Sequence, residues 1–159
     1  MATETTARSQ TSNSNSEHTL EHRRLGVIEY NDQDRIYFPQ GLLGFEKKKY
    51  YILVEREEYY PFVWMISTEN AETSFVMVNP LLFLPDYNPN ISRRDLNELE
   101  IDNPQSLQMY VIVTLHKDAF QSTANLSGPI LVNSTKKVGK QLVLLDDKYS
   151  TKHRILKAD

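Results

Sequence analysis

The 159-residue chain contains no cysteine, which excludes disulfide cross-links, thiolate nucleophiles and cysteine-ligated metals together. It has one tryptophan and only five glycines, and its single G-x-x-G spacing, Gly41 to Gly44, lacks the Lys-Ser/Thr and strand–helix context of a phosphate loop. No stretch approaches the roughly 20 apolar residues of a membrane-spanning helix, and the N-terminus has no apolar segment of secretory type. These absences lead to the expectation of a cytosolic, reduced protein without membrane contact. What is present is ordinary for a globular chain: 40% hydrophobic and 25% charged residues. The length fits one domain with a real core. Nine tyrosines, six phenylalanines and many valines and isoleucines lean the class toward β.

The net charge of −3 conceals an asymmetry. Leu25 to Thr135 carries 8 basic against 15 acidic residues, a net of −7, whereas Lys136 to Asp159 carries 7 against 3, a net of +4. An acidic body repels phosphate backbones and favours encounter with a basic protein.

Residues 1–24 are Ser/Thr/Asn-rich at their start and are read as a disordered tail, with the folded domain spanning 25–159. His18-Thr19-Leu20-Glu21-His22 matches a zinc-peptidase spelling, but it lies at the edge of that tail with no apolar stripe to form a buried helix. No metal is expected there. Leu25–Tyr30 and Arg35–Phe38 read as strands of one hairpin around Asn31–Asp34. Tyr50–Val54, Pro61–Ile66 and Ser74–Asn79 read as further strands, the second apolar on both faces and therefore central. Trp64 within it is expected in the core. Ser92–Leu99 is the one convincing helix, with Ser92 as N-cap and Asp95 at N3. Gln108–Thr114 alternates as a half-buried strand, with Met109, Val111 and Val113 on one face. Ile130–Val132 and Leu142–Leu145 read as two strands around a basic turn, with Gly139 free to take positive φ. Lys148–Arg154 reads as an edge strand or ordered tail.

Two loops are unusual. Phe38–Glu46 places Leu42, Leu43 and Phe45 among Pro39, Gly41 and Gly44, and Asn79–Tyr87 brackets four large apolar residues between two prolines. Such side chains pack onto the body or onto a partner. A third loop, Ser122–Pro129, is dense in residues that bond their own backbone. No serine sits on a strand–turn–helix elbow, His116 stands alone at a strand end, and the pairs Glu57-Glu58 and Asp146-Asp147 fall in turns. Recognition rather than catalysis is the reading, with no cofactor.

Together, Phe38-Pro39-Gln40-Gly41-Leu42-Leu43-Gly44-Phe45-Glu46, Asn79-Pro80, Thr123-Ala124-Asn125-Leu126 with Pro129-Ile130, and Gly139-Lys140-Gln141 resemble the flagellar assembly factor FliW family, over about Leu25 to His153. The resemblance implies a mainly β fold: a small antiparallel β-barrel-like single domain with one or two short helices and no enzymatic activity. It also implies two mutually exclusive partners. One is flagellin; the other is CsrA, a translational repressor of flagellin synthesis, antagonised allosterically. The free protein is expected to be monomeric. The Ser/Asn-rich stretch before Leu25 departs from the usual short start of the family.

Contact candidates are the large or polar side chains of the ordered loops: Leu42, Leu43, Phe45, Asn79, Phe83, Asp86, Tyr87, Phe120 and Asn125. Phe38, Pro39, Gly41, Asn125 and Pro129 are expected to fix turns. The alternative function is a single-stranded nucleic-acid-binding β-barrel that stacks bases on Tyr and Trp, which the acidic body disfavours.

Overall fold

The computed structural model describes residues 16–156. Its strands run in chain order β1 (His18–His22), β2 (Gly26–Tyr30), β3 (Ile36–Tyr37), β4 (Tyr50–Glu55), β5 (Val63–Ser67) and β6 (Ser74–Val78). They continue with β7 (Leu107–Thr114), β8 (Thr123–Ala124), β9 (Ile130–Asn133), β10 (Val138–Gln141) and β11 (His153–Arg154). One short helix, α1 (Arg93–Glu98), lies between β6 and β7.

Seven strands close into a barrel in the order β7-β6-β5-β4-β3-β10-β9. Closure rests on β7, which is long enough to serve two neighbours. Its N-terminal half pairs with β9 from Leu107↔Asn133 to Tyr110↔Ile130, and its C-terminal half pairs with β6 from Val111↔Val78 to Val113↔Val76. Every pairing in the ring is antiparallel except β3 with β10. The expected antiparallel barrel class is therefore observed.

The two-residue period of a strand sorts the side chains. Tyr51, Val63, Met65, Met77, Tyr110, Ile130 and Val132 point inward and meet Ile36, Phe38 and Leu42 in the interior cluster. Their neighbours point outward, and three separate covers shield them from water. The β1–β2 hairpin lays Ile28 and Tyr30 over Ile52, Trp64 and Ile66. Residues after β6, together with Tyr149 and Ile155, cover Val111 and Val113. The end of α1 packs Leu99 onto Leu131, Val138 and Leu142.

These covers account for several departures from the sequence reading. The tail expected to be disordered through residue 24 instead contains a strand, His18–His22, paired with β2 along its whole length; residues 1–15 lie outside the described part. The hairpin expected between Leu25–Tyr30 and Arg35–Phe38 does not form. A 3₁₀ turn at Asp32–Asp34, held by the Asn31 amide donating to Asp34 Oδ2 at 2.8 Å, lies between β2 outside the barrel and β3 within it. β7 is not half-buried: Met109, Val111 and Val113 face the outer cover while Tyr110 and Ile112 face the interior.

The last hairpin is shifted in register. Its turn is Ser134–Lys137, and Gly139 belongs to β10, paired with Val132. Lys137, not Gly139, takes the positive φ, 56°. Gly139 is required for a different reason, since a Cβ there would lie 2.5 Å from Phe38 Cζ. The α1 cap follows the sequence reading: Ser92 Oγ accepts from the Asp95 amide at 3.0 Å, and Asp95 Oδ2 accepts from the Ser92 amide at 3.1 Å.

Candidate functional site

The loop from β3 to β4 is built from consecutive tight turns. The Gly41 amide donates to Phe38 O, Phe45 N to Leu42 O at 2.7 Å, and Lys48 N to Phe45 O. The turn Leu42-Leu43-Gly44-Phe45 needs a left-handed third residue, and Gly44 supplies it at φ 87°. Gln141 Oε1 on β10 accepts from the Leu43 amide at 2.8 Å, tying the apex to the barrel. Glu46 Oε2 accepts from the Gly44 amide, and this bond holds the Glu46 carboxyl below its usual range. On this frame Leu43 is 69% exposed, whereas Leu42 is 2% exposed inside the barrel cluster. Phe45 is half-exposed and sits edge-on to Phe75, with ring centroids 5.2 Å apart. Leu42 is thus corrected from contact candidate to core residue.

The segment after β6 begins with a 3₁₀ turn at Pro80–Leu82, where Asn79 Oδ1 accepts from the Leu81 amide at 3.0 Å. The turn directs Leu81 and Leu82 to solvent, and Phe83 and Leu84 pack on the outer cluster. Phe83 stacks on His153 with centroids 6.0 Å apart. Tyr87 is buried, its hydroxyl donating to Leu126 O at 2.6 Å, and burial raises its pKa far above tyrosine's ordinary 10. Tyr87 is therefore a buried anchor of the outer cover and not a contact residue. Asp86 is exposed, and Asn79 spends its side chain on the cap.

Phe120 is exposed on a 3₁₀ turn capped by Asp118, whose Oδ1 accepts from the Phe120 amide. Asn125 Oδ1 accepts from the Ser127 and Gly128 amides at 3.0 and 3.1 Å, so it fixes a turn as expected. Phe38, grouped with the turn-fixing residues, is instead fully buried in the interior.

The strand registers place these candidates at two ends of the barrel. Leu43, Phe45 and Phe120 lie where β4 and β6 begin and β5 and β7 finish. Asn79 follows the far end of β6, and its segment then folds back over β7. Leu81 and Leu82, two of the four apolar residues between the prolines, are exposed, and so are Leu115, Val143 and Leu145, which the sequence did not mark as contacts. The Asn79-Pro80 pair was the available signal for the first two, because it marks a 3₁₀ start that turns the next residues outward.

The ionisable groups here serve structure. Burial pushes Tyr51 and Tyr110 up to about 12 inside the barrel. The His18–His22 spelling lies on a strand, where four residues span about 13 Å, too far for one metal ion. Glu17, His18 and Asp32 offer atoms within 4.8 Å of one another at the exposed end of the hairpin. They already bond within the protein: Asp32 pairs with His18 at 2.7 Å and with Arg35, and Glu17 Oε1 accepts from the Asp32 amide. Among the described residues no helix is long and apolar enough to cross a membrane.

Fold and surface define a small closed β-barrel that fills its interior with side chains and presents apolar residues on rigid end loops. The profile of the "FliW protein" family matches residues 19–155. The chain belongs to the FliW family of flagellar assembly factors. It is 39% identical over 134 residues to the flagellar assembly factor FliW of Syntrophus aciditrophicus, covering 84% of this chain and 85% of the relative. With the counterpart from Alkaliphilus metalliredigens it shares 39% over 138 residues, 86% of this chain and 85% of the relative. A crystal structure of the flagellar assembly factor FliW superposes with a TM-score of 0.84 at 32% identity, covering 89% of this chain and 99% of that one.

Proposed function

We propose that this flagellar assembly factor works by partner exchange in the cytoplasm. As a free monomer it binds the repressor CsrA and antagonises it allosterically, away from the RNA-binding surface. Flagellin competes for it, so accumulating flagellin releases CsrA. The observation that carries this reading is Leu43, a large apolar side chain held exposed on a turn that the backbone and Gln141 make rigid. A pre-ordered apolar anchor binds with little loss of conformational entropy. The acidic body, net −7 between Leu25 and Thr135, favours approach of a basic partner. Exchange needs only competing affinities and no covalent step. The test is a competition pull-down with purified CsrA and flagellin. Binding of each alone and displacement of one by the other are expected; no binding of either at micromolar concentration overturns the reading.

The nucleic-acid alternative has one observation in its favour. Half-exposed Tyr37 and Tyr50 stack with centroids 5.1 Å apart, with the Arg35 guanidinium 5.4 Å from the Tyr50 ring. Such a platform would bind single strands with an affinity that falls steeply with salt. Absence of salt-dependent binding to an oligonucleotide removes it.

A further inference from the structure

Several turns in this protein are fastened in one way: a side-chain acceptor takes the backbone amides two and three residues further on. Asn125 does so after β8, Asn133 after β9, and Ser67 after β5. His22 repeats the arrangement after β1, with Nδ1 accepting from the Arg24 and Leu25 amides, both at 3.2 Å. Only at His22 is the acceptor titratable near neutral pH.

Two backbone donors at Nδ1 require that nitrogen to be unprotonated, so the proton is on Nε2. Nε2–H then donates to Ser74 Oγ on β6 at 2.9 Å. One imidazole therefore closes the β1–β2 turn and fastens the hairpin to the barrel wall. His22 is 7% exposed, and its ring stands edge-on to Trp64, the chain's single tryptophan, with centroids 4.9 Å apart. Beneath the hairpin lies the Ile52–Trp64–Ile66 face of β4 and β5.

We propose that His22 is a pH-sensitive latch: neutral, it pins the β1–β2 hairpin to the barrel, and protonation of Nδ1 frees the hairpin and uncovers the Ile52–Trp64–Ile66 face. A proton on Nδ1 sets three donors against one another, because the Arg24 and Leu25 amides have no other acceptor in the turn geometry. Two surrounding cations act in the same direction. Arg24 from the turn and Arg56 from the end of β4 both disfavour an imidazolium, after burial itself. Glu21 and Arg23 from the hairpin and Glu72 from the β5–β6 connection line the adjoining groove. At the other end of the hairpin His18 Nε2 lies 2.7 Å from Asp32 Oδ1.

The latched ring titrates below histidine's ordinary 6.5. Its contribution is complete above 6.5 and is lost as pH falls below it, because the released state then binds the proton first. The opening equilibrium is expected to rise about tenfold per pH unit from 6.5 down to the value at which the latched ring titrates, and then to level off.

The experiment is amide hydrogen exchange of the full chain across this range, corrected for intrinsic rates, with nitrogen NMR of the His22 ring. Expected are an Nε2–H tautomer at neutral pH, and exchange of the β1 and β2 amides that accelerates below 6.5 ahead of the barrel strands. His22→Asn keeps an oxygen acceptor for the turn and should abolish the acceleration, while His18→Gln should retain it. An Nδ1–H tautomer, a His22 titration at or above 6.5, or an unchanged pH profile in His22→Asn overturns the latch. The wild-type tautomer and titration decide the matter even if a variant fails to fold.

Discussion

Asn133 Nδ2 donates to the Leu99 carbonyl oxygen at 2.8 Å, joining the end of α1 to the end of β9 through one buried amide. The same amide nitrogen reaches Glu100 O at 3.1 Å, while Oδ1 accepts from the Thr135 and Lys136 amides. All the polar capacity of the side chain is used at 1% exposure. It fixes the β9–β10 turn and docks the helix that covers Leu131 and Leu142.

Asn133→Ala should therefore cost about 3 kcal/mol, since it removes several hydrogen bonds and strands the buried Leu99 carbonyl. Denaturant unfolding measures this directly. A loss below about 0.5 kcal/mol, the range of ordinary surface substitutions, would show that water substitutes for the amide.

Gly139 and Phe38 form a second coupled pair. A methyl group at position 139 would overlap the buried Phe38 ring, so Gly139→Ala should destabilise the barrel by about 2 kcal/mol through overpacking. Phe38→Leu makes room, and the double variant should be more stable than the sum of the two single losses. Strict additivity in that double-mutant cycle would refute the contact.

The ion cluster on α1 predicts a pH window. Burial alone would raise the Asp95 carboxyl, but hydrogen bonds from Lys140 and Ser92 outweigh it and hold the group below 3.8. Hydrogen bonding to Lys140 holds Glu98 below 4.5. Burial would lower Lys140, and the two carboxylates instead carry it above 10.5. Depressed carboxylates contribute above their unfolded values and stop contributing as they protonate; a raised lysine contributes until pH climbs through its folded value. The stability gap between wild type and Lys140→Met should thus be flat between 4.5 and 10.5 and shrink below 4.5. A gap that persists once both carboxylates are protonated would assign the effect to packing of the lysine stem.

Leu42 and Leu43 are neighbours in sequence with opposite roles. Leu42→Ala empties interior volume and should cost about 3 kcal/mol of stability with partner affinity unchanged in the folded protein. Leu43→Ser should leave stability within about 0.5 kcal/mol and weaken CsrA or flagellin binding by about 2 kcal/mol, roughly 30-fold. Calorimetric binding and thermal unfolding on both variants separate the two; equal affinities for Leu43→Ser and wild type would remove the loop from the interface.

Local signals alone were enough for several elements. The run Val63–Ile66 is apolar on both faces because β5 lies between the interior and the hairpin cover. Ser92 and Asp95 announced the helix because a capping box satisfies its own backbone within four residues. The FPQGLLGFE stretch announced an ordered loop, and Gly44 at φ 87° shows why its glycines are spaced as they are.

Burial direction within loops was beyond such signals. Leu42 and Leu43 are chemically identical; Leu42 packs into the interior cluster, and the bond from the Leu43 amide to Gln141, 98 residues away, ties down the apex that leaves Leu43 in water. The register of β10 was likewise hidden, because Leu142–Leu145 is the more hydrophobic run. Val138–Gln141 forms the strand since Val138 must meet both Tyr37 and Asn133 to close the ring. The hairpin at His18–His22 was read as tail because its apolar partners, Ile52, Trp64 and Ile66, are distant in sequence. Periodicity, caps and turn chemistry are interactions within a few residues, so the amino-acid sequence by itself determined the β class, the helix and the ordered loops. Which faces are covered, and which side chains are left exposed to meet a partner, depended on contacts between remote segments, and those only the tertiary structure decided.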